Sequence, residues 1–313
     1  MPSVLITRTP MQYLGAVSER YCKPRAMAAL DPHTTTPSQL PREWKQEISV
    51  LMQEIANTGN RIGRSCPSLT DEEKHRINQF YSDKAFNPAR LPDELTMSAL
   101  QQVGALVHLL GEIADTDLVT PAVVAPLARS VVEQCSLVLF LTSEHDMTLC
   151  VAKTAGALRK AIEAEDAAQD NDNIKSLVAN CEKFTERYRK ERTLKKYSLP
   201  KGASELVEDQ LSDFDGKDLY KELCGYTHQN SFNALFSTVA VVHNPTQLEL
   251  QSLEYCTSIT GIFMYTVKNL EPFRDAIETA PHFEYLASLC QSLHLQSKRL
   301  DHFADDFAPT QNG

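Results

Sequence analysis

The chain has 313 residues, of which 31 are Lys or Arg and 41 are Asp or Glu, so its net charge is −10. This charge argues against broad non-specific binding to nucleic acid or to an anionic membrane, because both need a positive potential. Hydrophobic residues make up 42% of the chain, which is enough for a sizeable core. Glycines number only 11 and aromatic residues reach only 7%, a composition that favours helices over sheets.

The eight cysteines are scattered and include no C-x-x-C pair. We therefore expect free thiols in a reducing, cytoplasmic setting, and neither a disulfide framework nor a structural zinc site. No run of 18 or more apolar residues is present, and the first residues lack the apolar stretch of a signal peptide. A cytoplasmic protein with no membrane partner, no cofactor and no metal is the expectation.

Prolines interrupt residues 1–38, which we predict to be an N-terminal arm that is partly disordered. From Pro41 to Ile62, apolar residues recur at helical spacing, and the proline suits a first helical turn. Capping residues at 68–71 predict a second helix that runs to about Tyr81. A third helix is expected from Pro92 to Asp115.

The helix that begins at Thr120-Pro121 is apolar on nearly every side as far as Leu141. Frequent β-branched residues would also suit a strand, but the length of the stretch favours a helix. A helix that is apolar on most faces belongs at the centre of a bundle.

The rest of the pattern predicts further helices, in chain order Asp146–Ala168, Ile174–Tyr197, Ser204–Leu211, Asp218–Thr227, Ser231–Val242, Pro245–Leu270 and Pro281–Phe303. The sequence therefore predicts an all-α fold, an antiparallel helical bundle core with additional N- and C-terminal helices. We expect one domain over residues 39–305, followed by a loose tail at 306–313.

Two polar features interrupt these apolar helices. Arg129 and Glu133 stand four residues apart on the central helix, so they share one face. They are either a charged pair that lines a cleft or a structural ion pair that ties helices together. His228 follows the helix that ends at Thr227. It is either an acid or base near pH 7, or a histidine satisfied at a helix C-terminus.

The two segments together, R-S-x-x-E from Arg129 to Glu133 and Y-x-x-L-x-x-x-x-H from Tyr220 to His228, resemble the HEPN-like helical superfamily. The resemblance is to its uncharacterised bacterial members and covers about residues 95–270. It implies a helical bundle core, a homodimer and, as in many members, RNA cleavage or nucleotide binding.

The chain departs from the pattern of the ribonuclease members, which place R-x(4–6)-H on one helix. Lys221 stands seven positions before His228, no arginine lies within range, and Cys224 replaces the usual serine. A dyad from two helices remains, in which His228 moves a proton and Arg129 stabilises the phosphorane charge. The predicted catalytic residues are Arg129, Glu133 and His228, and Lys221, Tyr226 and Asn230 are predicted to line the same pocket.

Residues 182–201 are rich in cations, and tyrosines are interleaved among them at positions 188 and 197. The predicted nucleic-acid-binding residues are Arg187, Arg189, Lys190 and Arg192, which would hold a phosphate backbone while the tyrosines stack on bases. The alternative is a solvated helix face with ion pairs between successive turns.

Metal chemistry is weakly indicated. His145-Asp146 resembles a metal dyad but follows residues typical of a capped break between helices, and Glu72-x-x-His75 occurs once where a di-iron bundle needs it twice. Two hypotheses therefore stand. One is an RNA- or nucleotide-binding protein with metal-independent ribonuclease-type chemistry. The other is a non-enzymatic module that binds a protein or a small ligand.

Overall fold

The structure is a computed structural model that describes residues 40–65, 72, 73, 75, 77, 90–116, 119–143, 146–164, 171–191, 196–227 and 245–307. Its helices are α1 (Arg42–Arg64), α2 (Leu91–Ala114), α3 (Pro121–Thr142), α4 (Met147–Glu163), α5 (Asp172–Lys190), α6 (Ala203–Gln210), α7 (Gly216–Thr227), α8 (Pro245–Lys268) and α9 (Ala276–Phe307). These residues contain no strand. The predicted all-α bundle is confirmed.

Helix α3 lies at the centre of the bundle, as its composition predicted. It packs against α2, α6, α7 and α8, and its side chains at Val131, Val132 and Val138 are fully buried. Within the described part of the chain, α3 is also the helix long and apolar enough to cross a membrane, with a mean hydropathy of 1.5. Since 56% of that stretch is buried inside the protein, the same composition suits a core helix.

Helices α1 and α2 pack closely because glycines stand at their contact. A Cβ atom at Gly111 would lie 3.0 Å from the carbonyl oxygen of Ser49, and one at Gly63 would lie 3.2 Å from the Leu100 side chain. Such contacts are tighter than packed side chains normally make, so a larger residue at either position would push the helices apart.

Helices α4 and α5 pair to form a second, smaller core. Phe184 and Tyr188 of α5 are buried against α4. The predicted end of this helix at Tyr197 is wrong, because α5 ends at Lys190 and the backbone at Glu191 is extended. Tyr197 donates its hydroxyl to the Ala152 carbonyl of α4 at 2.6 Å and meets the Tyr188 ring edge-on.

The last helix starts before the residue predicted to begin it. The carboxylate of Asp275 accepts hydrogen bonds from the backbone N–H groups of Ile277 at 2.9 Å and Glu278 at 3.0 Å, which caps α9 at its N-terminus. Pro281 therefore lies inside α9, and the helix extends through Phe307 into the predicted tail.

Other predicted elements fall on residues that the structure does not describe. The arm at 1–38 and the helix at 231–242 lie outside the described residues. Of the helix predicted at 68–81, only residues 72, 73, 75 and 77 are described, and they are helical.

A buried arginine joins three parts of the bundle. Arg274, in the connection between α8 and α9, has a side chain that is only 2% exposed. Its Nη1 forms an ion pair with Asp93 in the first turn of α2 and donates to the carbonyl of Ser65 at the end of α1 at 3.3 Å. A buried guanidinium without its carboxylate would be costly, so the pair fixes how these ends meet.

We expect Asp93→Asn to lower the free energy of unfolding by about 3 kcal/mol, since it leaves the buried Arg274 charge uncompensated. Glu94→Gln is the matched control, because the neighbouring pair of Arg90 and Glu94 is mostly exposed, and it should cost about 1 kcal/mol or less. Urea unfolding followed by circular dichroism measures both. Equal losses in the two variants would contradict the assigned role of Arg274.

Candidate functional site

The two sequence segments that carry the family resemblance meet in space. Helix α7 packs along α3, and the Tyr220 hydroxyl donates to Oε1 of Glu133 at 2.6 Å, although the residues are 87 positions apart. Arg129 lies one turn before Glu133 and bonds to it as well. Together with Thr227, these side chains form what we call the α3–α7 cluster: Arg129, Glu133, Tyr220 and Thr227.

The Arg129 guanidinium bonds through all three of its nitrogens. Nε donates to Oε1 of Glu133 at 2.9 Å, Nη1 donates to Oγ1 of Thr227 at 2.9 Å, and Nη2 donates to the Tyr220 hydroxyl at 3.4 Å. The guanidinium carbon also lies 5.5 Å from the centre of the Tyr220 ring. The cation is therefore held in one orientation before any ligand arrives.

Local sequence explains why the four side chains share one seam. Arg129 and Glu133 are four residues apart, and Tyr220 and Thr227 are seven apart, so each pair projects from one face of its helix. Leu223, between the two α7 residues, is fully buried and anchors that face. The seam still reaches solvent, because the side chains of Arg129 and Glu133 are 24% and 32% exposed.

The cluster keeps its phenol neutral and its guanidinium charged. Burial, then the hydrogen bond and charge of Glu133, raise the pKa of Tyr220 to about 12, while Arg129 acts in the opposite direction. Partial burial opposes the charge of Arg129, but Glu133 and Tyr220 outweigh it and raise its pKa. At neutral pH the cluster thus offers one cation, one carboxylate and two hydroxyl groups.

The other residues of the predicted pocket are distributed as follows. Tyr226 is half-buried and donates its hydroxyl to Oε1 of Gln251 at 3.4 Å. Lys221 is exposed on α7 and makes none of the contacts of the α3–α7 cluster. His228 and Asn230 lie outside the described residues. Of the predicted site residues, the structure thus brings Arg129 and Glu133 together. Tyr226 instead bonds to Gln251 of α8.

A second cluster of polar side chains lies on the side of α7 that faces α8. Oε1 of Glu222 accepts hydrogen bonds from the Tyr255 hydroxyl and from Nε2 of Gln251, the latter at 3.0 Å. Gln251 Nε2 also donates to the Tyr255 oxygen at 2.8 Å. We call these residues, with Tyr226, the α7–α8 cluster: Glu222, Tyr226, Gln251 and Tyr255.

Most of these partners are absent from the predicted site. Tyr220 lies in the Y-x-x-L-x-x-x-x-H motif but is not among the predicted site residues, and Thr227 is indicated only by its spacing of seven residues from Tyr220. Gln251 and Tyr255 carry no local signal, because they sit on a helix whose pattern indicates only a long apolar face. Their role follows from the side-chain hydrogen bonds between α7 and α8.

Three of the predicted nucleic-acid-binding residues lie on the surface. Arg187, Arg189 and Lys190 are exposed in the last turn of α5, and Arg192 lies outside the described residues. The predicted stacking of a base on Tyr188 is wrong because that ring is buried, whereas the Tyr197 ring is partly exposed. Tyr188 is 2% exposed in the core between α4 and α5, and Tyr197 packs against it with its hydroxyl bonded to Ala152.

Asp146 has a capping role. Its carboxylate accepts hydrogen bonds from the backbone N–H groups of Thr148 at 2.9 Å and Leu149 at 3.4 Å, as the predicted break between helices required. In the described ranges, no group of three or more His, Cys, Asp or Glu side chains comes together as a metal site would need.

No protein family, no curated protein and no solved structure matches this chain. The geometry of the two clusters is therefore the basis on which a function can be proposed.

We expect Glu133→Gln to lower the pKa of Tyr220 from about 12 toward its ordinary value of 10.0, because a charged acceptor of the phenol proton is lost. Ultraviolet titration of the tyrosines measures this, with Tyr220→Phe identifying the transition. Glu112→Gln, an exposed position on α2, is the control and should leave the titration unchanged. An unaltered Tyr220 transition in Glu133→Gln would contradict the assigned hydrogen bond.

Proposed function

We propose that this protein is a HEPN-like helical bundle that binds RNA or a nucleotide at the α3–α7 cluster. The observation that carries the proposal is the hydrogen bond from Tyr220 to Glu133, with Arg129 bonded to both. Two segments that resemble one superfamily, 87 positions apart at this contact, form a single, partly exposed polar contact between α3 and α7. A preorganised arginine at such a seam suits a phosphate group.

The chemistry of cleavage would divide among the residues as follows. Arg129 would stabilise negative charge on the phosphorus oxygens, and Glu133 would keep the guanidinium oriented. Nη2, whose contact with Tyr220 is the longest at 3.4 Å, is the nitrogen that a phosphate would engage most easily. His228, the residue after Thr227 in the sequence, would transfer the proton. This mechanism requires no metal, and we include a cytoplasmic location and a homodimer in the proposal.

The second candidate is a non-enzymatic module that binds a protein or a small ligand, with the α3–α7 cluster as a structural link. The saturation of Arg129 favours it, since every guanidinium nitrogen already has an acceptor within the protein. A partly buried ion pair of this kind often specifies how helices pack.

RNA binding and cleavage by the purified wild type separate the two candidates. We expect His228→Ala to abolish metal-independent cleavage while RNA binding persists, and Arg129→Lys to weaken binding about tenfold, since lysine cannot reproduce the fork of donors. Arg90→Ala, which removes a mostly exposed arginine, is the control. If the wild type neither binds nor cleaves RNA and Arg129→Lys only lowers stability, the structural candidate is correct.

The exposed end of α5 would add electrostatic contacts to the same RNA. We expect Arg189→Ala to weaken binding of single-stranded RNA for all sequences alike and to reduce the slope of log affinity against log salt by about 0.7. Lys175→Ala, on the first turn of the same helix, is the matched control and should leave the slope unchanged. If the two variants show the same slope, the exposed end of α5 does not contact the RNA.

A further inference from the structure

The α7–α8 cluster holds a surface carboxylate in a fixed position. Glu222 is exposed, yet its Oε1 accepts hydrogen bonds from two side chains, Tyr255 and Gln251. Tyr255 is only 5% exposed, so one donor of the carboxylate is anchored in the core. Burial and the neighbouring Glu222 raise the pKa of Tyr255, which therefore remains a donor at neutral pH. A surface glutamate normally has no fixed partner, whereas this one accepts two hydrogen bonds.

The outward acceptors of the cluster are still available. Both donors of the carboxylate go to Oε1, and among the described residues Oε2 of Glu222 has no partner. Among the described residues, Oε1 of Gln251 accepts one long contact, from Tyr226 at 3.4 Å, and an amide oxygen has two lone pairs. The Tyr226 ring lies half-buried beside them, edge-on to Tyr255 with ring centres 6.4 Å apart. The cluster thus combines two hydrogen-bond acceptors with an aromatic ring.

The two clusters adjoin at the last turn of α7. Tyr226 belongs to the α7–α8 cluster and Thr227, the next residue, belongs to the α3–α7 cluster. The clusters face different neighbouring helices, so a single nucleotide does not fill both. An RNA strand that passes the last turn of α7 with one phosphate at Arg129 would bring a neighbouring base to Glu222 or Gln251.

We infer that the α7–α8 cluster is a base-recognition subsite that selects guanine, with Glu222 accepting hydrogen bonds from the base edge and Tyr226 contacting the ring. This inference rests on the proposed binding of RNA or a nucleotide. Guanine is the base that presents two adjacent donors, N1–H and the N2 amino group, on its Watson–Crick edge. Adenine presents an acceptor at N1, which a carboxylate repels.

Binding of short labelled oligoadenylates that carry one central guanosine, inosine or adenosine, measured by fluorescence anisotropy, tests the inference. For the wild type we expect guanosine to be preferred over adenosine about tenfold, with inosine between them because it lacks the N2 amino group. Glu222→Gln, which keeps the shape of the side chain, should lose the preference and keep its affinity for the adenosine strand. Tyr255→Phe should reduce the preference, because it frees the carboxylate to rotate.

Glu208→Gln is the matched control, since Glu208 is an exposed acid that pairs with Lys217 away from the cluster, and it should behave like the wild type. Circular dichroism checks that each variant is folded. Equal affinity of the wild type for the three strands, or an unchanged preference in Glu222→Gln, would overturn the guanine subsite and leave the proposed function standing. No binding of any strand would overturn both.

An arginine side chain of a partner protein offers a similar pair of donors. If the wild type shows no guanine preference but binds an arginine-containing peptide, and Glu222→Gln loses that binding while Glu208→Gln keeps it, the cluster recognises a protein and the guanine assignment is overturned.

Discussion

One cation on an otherwise apolar central helix determines where α7 lies. Arg129 lies on α3 between the fully buried Ala128 and the partly exposed Ser130, and its own side chain is 24% exposed, so its partly desolvated charge needs hydrogen-bond partners. Glu133 on the same helix meets part of that need, and the rest comes from Tyr220 and Thr227 on α7. The position and orientation of α7 along α3 follow from satisfying this guanidinium.

Helix α7 also makes polar contacts on its other side, toward α8. Glu222 and Tyr226 bond to Gln251 of α8, while Tyr220 and Thr227 face α3. Since α3 and α8 pack directly on each other, α7 bridges two neighbouring helices through polar contacts on both flanks and the buried Leu223 between them. Polar contacts have stricter geometry than apolar ones, so this arrangement restricts rotation of α7 more than packing alone would.

The local sequence pattern was sufficient to predict helices whose ends depend on residues nearby in the chain. The bounds of α1, α2 and α3 follow from helical periodicity and from prolines at their starts, and the spacing of Arg129 and Glu133 predicted their shared face. It failed where a distant contact decides the outcome. The pattern predicts helix as far as Tyr197, but α5 ends at Lys190, the backbone at Glu191 is extended, and Tyr197 bonds to the Ala152 carbonyl of α4. The start of α9 is a different case, because Asp275 and Pro281 are both local start signals and the helix begins after the capping carboxylate of Asp275.

The candidate site shows the same division between local and distant information. A motif can be recognised in one segment, but its partners on another helix appear only once the helices are packed, as Gln251 and Tyr255 illustrate. Because consecutive residues Tyr226 and Thr227 bond in opposite directions, to α8 and α3, the last turn of α7 cannot rotate to favour one cluster without breaking the other. Both clusters therefore depend on the same turn of backbone.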